Sequence, residues 1–398
     1  MKTKRVILAA LVMVLAFGLM PVNAQAASTK TKLNKKKLTL TVGGSDWLYL
    51  DNAPVGKTVK WSSDKKSVAT VNKDGKVTAK KVGTATITAK VSSKKYTCTV
   101  KVIKKNASDV AALKKLIKAQ KKKGAKVSSN LNSSNYTWNN KGRLSGIFWW
   151  NCKLKGSISF AAFKDLVFID CTDNKLTKLD VSKNTKLEGL YCTVNNLSSL
   201  NVSKNKKLTS LSCEYNKLGK LDVSKNTKLK HLYCSFNKLS KLDVSKNKKL
   251  ENLACAANKL SSLNVNNNTK LEYLYCDSNK LSSLNVSNNT KLAYLFCSMN
   301  KLSKLDVSKN AKLENLYCES NQLSSLNVSN NTKLTYFACS SNQLTELDVS
   351  KNTKLEWLYC RDNKISKLDL TNNTALMGVD CDDTVKLIGY DRNDDYDE

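Results

Sequence analysis

The chain has 398 residues, with 67 Lys and Arg against 32 Asp and Glu, 13 Cys, two Pro and one His. A single histidine argues against histidine-dependent catalysis and His-rich metal sites, and a hydrophobic content of 41% is enough to bury cores in two or three domains. The formal charge of +35 suits an anionic partner, so the position of the lysines decides what they mean.

Lys2, Lys4 and Arg5 precede an apolar run from Val6 to Met20 and then Ala24-Gln25-Ala26, the pattern of a secretory signal peptide over residues 1–26. The run is shorter than the roughly 20 residues of a spanning helix, and no later segment is apolar enough to span. Residues 389–398 form an acidic tail with no hydrophobic stretch or sorting motif. The expectation is a secreted protein, or one associated non-covalently with the bacterial cell surface.

Residues 27–106 hold 19 basic and 4 acidic residues and read as short strands with turns between them. Leu38, Leu40 and Val42 alternate before Gly43-Gly44, Ala85, Ile87 and Ala89 alternate, and so do Tyr96, Cys98, Val100 and Val102. Period-two alternation at this spacing predicts a small antiparallel sandwich. The strings Val59-Lys60-Trp61-Ser62-Ser63-Asp64, Val68-Ala69-Thr70-Val71, Asp74-Gly75-Lys76-Val77-Thr78-Ala79 and Gly83-Thr84-Ala85-Thr86-Ile87-Thr88-Ala89 closely resemble the bacterial Ig-like domain, group 2. That resemblance implies a stalk or spacer. Cys98 falls on the inward register of the last strand, which predicts a buried free thiol.

From Ser108 the pattern turns helical: Ser108 or Asp109 can cap, Val110, Leu113, Leu116 and Ile117 share a face, and Gly124 ends it. A solenoid must cover the apolar edge of its first coil, so residues 107–165 read as a small helical and mixed N-terminal cap. Trp149 and Trp150 admit a second reading, as a carbohydrate platform.

Cysteine occupies positions 171, 192, 213, 234, 255, 276, 297, 318, 339, 360 and 381, with every interval equal to 21. Around Cys276 the apolar columns are Leu271, Leu274, Leu281, Leu284 and Val286. Asparagine stands three residues after each Cys, from Asn174 to Asn363, and thirteen after, from Asn184 to Asn373. Apolar columns that never slip register mean stacked coils, about 10–11 over residues 166–388. At about 4.8 Å per coil they span on the order of 50 Å. An Asn side chain can bond backbone groups of its own and the neighbouring coil, so one replaced by Leu should cost about 1–3 kcal/mol.

The pattern Leu-x-x-Leu-x-Cys-x-x-Asn-x-Leu resembles leucine-rich repeats, and a 21-residue unit with Cys at that interior position resembles the cysteine-ladder repeats of the internalin family, internalin J among them. The resemblance implies a right-handed solenoid with a parallel β-sheet, and a concave sheet that binds proteins or glycans. Disulfides down the ladder would be strained, because parallel Cβ vectors hold the Cβ pair wider than the roughly 3.8 Å preferred. A ladder offers a metal only a line of ligands. Buried reduced thiols are the expectation.

No grouping in the repeats selects catalytic residues or a metal site, and no cofactor, nucleic acid or enzymatic activity is expected. His231 falls in a variable surface column, and Glu214, Asp277 and Glu319 lie on the sheet without any two being singled out. The concave face carries ten candidate binding residues: Tyr191, Tyr233, Tyr275, Phe296, Tyr317 and Tyr359 one before the Cys, and Tyr273, Tyr294, Tyr336 and Trp357 three before it. They form a recognition surface, or aromatic and small residues alternate only to pack down the ladder. Lys186, Lys207, Lys228, Lys249, Lys270, Lys291, Lys312, Lys333 and Lys354, fifteen after each Cys, are placed off the concave sheet. They are either a solvated edge, paired with neighbours such as Glu251 or Glu356, or a site for an anionic cell-wall polymer. The expected function is an adhesin-like binding protein with a protein or glycan ligand. The alternative is a structural protein held to the wall by its lysines.

Overall fold

The computed structural model describes residues 30–391. The predicted signal peptide and most of the acidic tail lie outside the described residues. The chain forms two compact units that divide between Ile103 and Lys104.

The first unit is an Ig-like sandwich. Its strands are β1 (Lys32–Leu33), β2 (Lys37–Thr41), β3 (Ser45–Trp47), β4 (Leu50–Asp51), β5 (Lys60–Ser63), β6 (Ala69–Val71), β7 (Lys76–Ala79), β8 (Gly83–Val91) and β9 (Lys94–Ile103). One sheet has the order β2-β9-β8-β5 and the other β3-β7-β6, with β1 paired to β4. The alternating residues Val77, Ala85, Ile87, Ala89, Cys98, Val100 and Val102 fill the core between them. One feature departs from an all-antiparallel sandwich: β2 runs parallel to β9, Lys37 opposite Thr99 and Thr41 opposite Ile103. Alternation is the same for both pairings, so the pattern of Leu38 and Leu40 could not reveal the direction.

The second unit opens with α1 (Ala107–Lys122). Its N-cap is Asn106, whose side chain accepts from the Asp109 amide at 3.2 Å, in place of Ser108 or Asp109. Asp109 is instead 1% exposed, where it accepts from the Leu144 amide at 2.9 Å and pairs with Arg143 at 2.9 Å. A buried carboxylate needs both partners, which accounts for its inward turn. Leu113 and Ile117 face the core.

A hairpin follows, β10 (Tyr136–Trp138) against β11 (Leu144–Phe148), and β11 pairs in parallel with β13 (Phe168–Asp170). The solenoid sheet therefore begins inside the segment read as cap. Trp149, with no exposed surface, packs edge-on against Tyr136 and donates to its hydroxyl at 3.2 Å. This corrects the platform reading: Trp149 is a core residue, and Trp150 alone is exposed.

From β15 (Gly189–Tyr191) to β23 (Trp357–Tyr359) every coil contributes one three-residue strand ending at the residue before its Cys. With β11, β13 and β25 (Gly378–Asp380) these make twelve parallel strands in one sheet, closed at its start by β10. Two-stranded pairs flank it, β12 (Lys155–Ser159) with β14 (Lys175–Asp180) and β24 (Lys367–Asp369) with β26 (Lys386–Ile388).

The two Asn columns divide the backbone work. Asn279 donates to the carbonyls of Cys255, Cys276 and Asp277 at 3.0–3.1 Å and accepts from the Leu260 amide at 3.0 Å. Asn268, of the second column, donates to the carbonyls of Val244 and Asn247 at 3.0 Å. Between each Cys and the first Asn stands a residue in the left-handed region whatever its side chain, including Val194 at φ 53°, Phe236 at 56° and Met299 at 56°. The corner thus holds strain that Gly or Asn would relieve.

All thirteen cysteines are buried, and no disulfide joins any two of them. Burial pushes Cys98 up to about 11 and Cys255 to about 12, and Cys234, Cys276 and Cys297 well above the ordinary thiol value. Such thiols are poor nucleophiles. Native protein treated with an aromatic disulfide reagent is expected to react only in traces, and at all thirteen positions once denatured. Rapid reaction in the native state would show that the coils open.

Candidate binding face of the solenoid

Leu274 and Cys276 are fully buried, so Tyr273, Tyr275 and Asp277 between and beside them point out on the other face of the sheet. The same holds in every coil. All ten predicted aromatic residues stand on this face, half-buried except for the exposed Trp357. Five form one continuous stack, Tyr275–Phe296–Tyr317–Tyr336–Tyr359, with centroids 4.4, 4.3, 4.6 and 5.2 Å apart. Tyr336 comes from the other column and leans into the gap that Ala338 leaves. Tyr273 and Tyr294 make a second stack at 4.6 Å and 4°. Tyr191 stacks on Phe168, which stacks on Phe148. Tyr233 stands apart, with His231 lying parallel 6.4 Å away. His231 itself shares a hydrogen bond with Asn252 at 3.0 Å. Trp357 lies flat because Gly378 beneath it has no side chain: a Cβ there would come within 2.5 Å of the ring.

Sequence reasoning missed four aromatic residues. Phe168 and Phe148 precede the regular repeats, and the stacked pair Tyr215–Phe236, 4.2 Å apart, sits in the left-handed corner column where side-chain direction does not follow strand alternation.

One residue after the Cys, Glu214, Asp277 and Glu319 stand half-buried on the same face. Burial raises Glu214 and Asp277 each to about 7, and Glu319 also upward. Asp277 keeps one strong partner, the Ser298 amide at 2.8 Å. The folded chain holds protons on these groups that the unfolded chain has released. Their stabilisation is therefore full below the unfolded values near 4 and is lost as pH rises through about 7. The urea midpoint is expected to fall between pH 5 and pH 8, and the Glu214→Gln, Asp277→Asn double variant to flatten that dependence. An equally steep profile in the variant would refute the assignment.

All nine lysines of the coil column are exposed, and among the described residues only Lys186 makes an ion pair, with Asp165. Glu251 pairs instead with Lys230, at 2.9 Å. The column is also not remote from the sheet face. Lys291, Lys312 and Lys333 border the same depression as Tyr273, because the chain enters each strand only three residues after the lysine.

Residues 27–102 match the family of the bacterial Ig-like domain, group 2. An uncharacterized protein of Clostridium acetobutylicum is 38% identical over 98 residues, which cover 23% of this chain and 25% of that one. The functional domain of InlJ from Listeria monocytogenes, whose structure includes a cysteine ladder, is 40% identical with a TM-score of 0.61, over 63% of this chain and 56% of that one. The internalin InlF of the same organism shares the fold at 18% identity and a TM-score of 0.52, over 71% of this chain and 95% of that one. The chain thus spans about a quarter of that curated relative and little more than half of the InlJ domain. It joins a bacterial Ig-like domain of group 2 to a leucine-rich-repeat solenoid with a cysteine ladder, the solenoid being similar to that of InlJ.

Proposed function

We propose that the protein is an extracellular binding protein of a bacterium, in which the aromatic sheet face holds a protein or glycan and the Ig-like domain acts as a spacer. The observation that carries this reading is the five-ring stack from Tyr275 to Tyr359. It gathers large, rigid contact area in one half of a solenoid whose interior is uniform from coil to coil. Rings held by their neighbours lose little freedom on binding, which favours affinity. The triple variant Tyr275→Ala, Tyr294→Ala, Trp357→Ala is expected to lose at least roughly tenfold, or 1.4 kcal/mol, in binding to whatever ligand a glycan array or pull-down identifies for the mature protein. Unchanged affinity would overturn the reading.

The exposed, largely unpaired lysines favour a second reading, retention on an anionic wall polymer. In that case the triple variant would stay on cell walls, and retention would fall steeply with salt.

A further inference from the structure

Four residues before each Cys from Cys192 to Cys360 runs a column of Glu188, Thr209, Lys230, Glu251, Glu272, Ala293, Glu314, Thr335 and Glu356. Ala293 is its shortest side chain. The consequence is a cavity of about 290 Å³ between Glu272 and Glu314, with Ala293 as its floor. It lies just under the ~300–1,000 Å³ typical of small-molecule sites, room for about one sugar ring.

Each wall of this cavity offers a different chemistry. Tyr273, stacked on Tyr294, supplies an aromatic surface beside the opening. Glu314 is oriented by the Tyr294 hydroxyl, which donates to its Oε2 at 2.8 Å, leaving its other oxygen as an acceptor. Glu272 stands across from it as a second acceptor for hydroxyl groups. Along the outer edge Lys291, Lys312 and Lys333 follow one another at coil spacing, about 4.8 Å, close to the advance per sugar in an extended polysaccharide. Three ammonium groups against two carboxylates leave the cavity cationic.

We propose that this cavity is a subsite for one ring of an acidic polysaccharide: the ring lies against Tyr273, its hydroxyls donate to Glu272 and Glu314, and the carboxylate or sulfate groups of it and its neighbours meet the three lysines. A neutral glycan leaves the lysines unmatched, and an anion without rings leaves the tyrosine and the carboxylates unused. The proposal rests on the sheet face being a binding surface and names the ligand class for one part of it.

The test uses the full mature chain and isothermal titration with three probes: a hexuronate oligosaccharide, its carboxyl-reduced neutral counterpart, and a sulfated oligosaccharide of equal length. Inorganic polyphosphate serves as a fourth, ringless probe. Ala293→Glu fills the cavity with a side chain the same column carries in five other coils, so folding is preserved. Binding of at least one acidic oligosaccharide is expected, with the neutral one and polyphosphate roughly tenfold or more weaker. Which acidic probe wins distinguishes carboxylate from sulfate. Ala293→Glu and the Lys291→Gln, Lys312→Gln, Lys333→Gln variant should each lower that affinity roughly tenfold, and the matching change at Lys183, Lys204 and Lys225, exposed lysines of a different column, should leave it unaltered.

Acidic binding that survives Ala293→Glu, or that falls equally with either lysine set, would overturn the subsite. If the Tyr275, Tyr294, Trp357 variant still lost its partner, the broader reading of the face would stand. Absence of binding to every acidic probe would overturn the proposal as well.

Discussion

Arg143→Met is expected to destabilise the solenoid unit by about 3–5 kcal/mol. The guanidinium lies 2.9 Å from a carboxylate that is almost wholly buried between α1 and β11. With the arginine gone, Asp109 retains the Leu144 amide but no positive charge, and a buried ion without a counterion carries its full desolvation cost. Adding Asp109→Asn to Arg143→Met removes that charge and should recover much of the loss, an interaction that independent sites would not show. The measurement is urea unfolding followed through the fluorescence of buried Trp149, which reports on the cap. A single variant within about 1 kcal/mol of the parent would mean that the pair contributes no more than an exposed ion pair does.

The second large effect is Asn279→Leu, expected to cost about 3 kcal/mol or more. The sequence alone implied about 1–3 kcal/mol, for a single unsatisfied group. The structure gives Asn279 four backbone partners from two coils. The carbonyl of Cys255 keeps the donor from Asn258 at 3.1 Å, but the buried Leu260 amide is left with none. Because each coil leans only on its neighbours, weakening one interface at mid-solenoid should also broaden the unfolding transition. Asn288→Leu, at an exposed position whose side chain reaches one carbonyl at 3.3 Å, is the control and should stay within about 0.5 kcal/mol. Equal effects at the two positions would refute the ladder's role.

The structural roles of the Cys and Asn columns were legible because each keeps one residue type in one register, and identity at fixed spacing is what backbone bonding requires. The left-handed corner was not, since Val194, Tyr215, Phe236 and Met299 share no chemistry. Its conformation is imposed by the Asn that follows it. The ten aromatic residues follow strand alternation onto the face opposite the buried Leu and Cys. Their grouping was not legible, because Tyr336 reaches diagonally past Ala338 to a different column, and diagonal contacts depend on side-chain length more than on position. Ala293 escaped notice for a related reason: the cavity is made by a short side chain between two long ones. The helix cap was misplaced because Ser108 and Asp109 are cap-forming residue types, while the burial of Asp109 depends on Arg143, 34 positions further on.

The side chain of each Asn in the first column bonds its own coil and the one before it, that of each Asn in the second bonds the one before it, and none reaches further. Removing one whole 21-residue unit from the middle would give each remaining Asn an equivalent partner in its new neighbour, and adding one would do the same. The length of the aromatic sheet face can therefore change in whole-coil steps without any new local structure. The sites that depend on a particular neighbour, the cavity over Ala293 and the leaning Tyr336, are the ones a gain or loss of coils could create or erase.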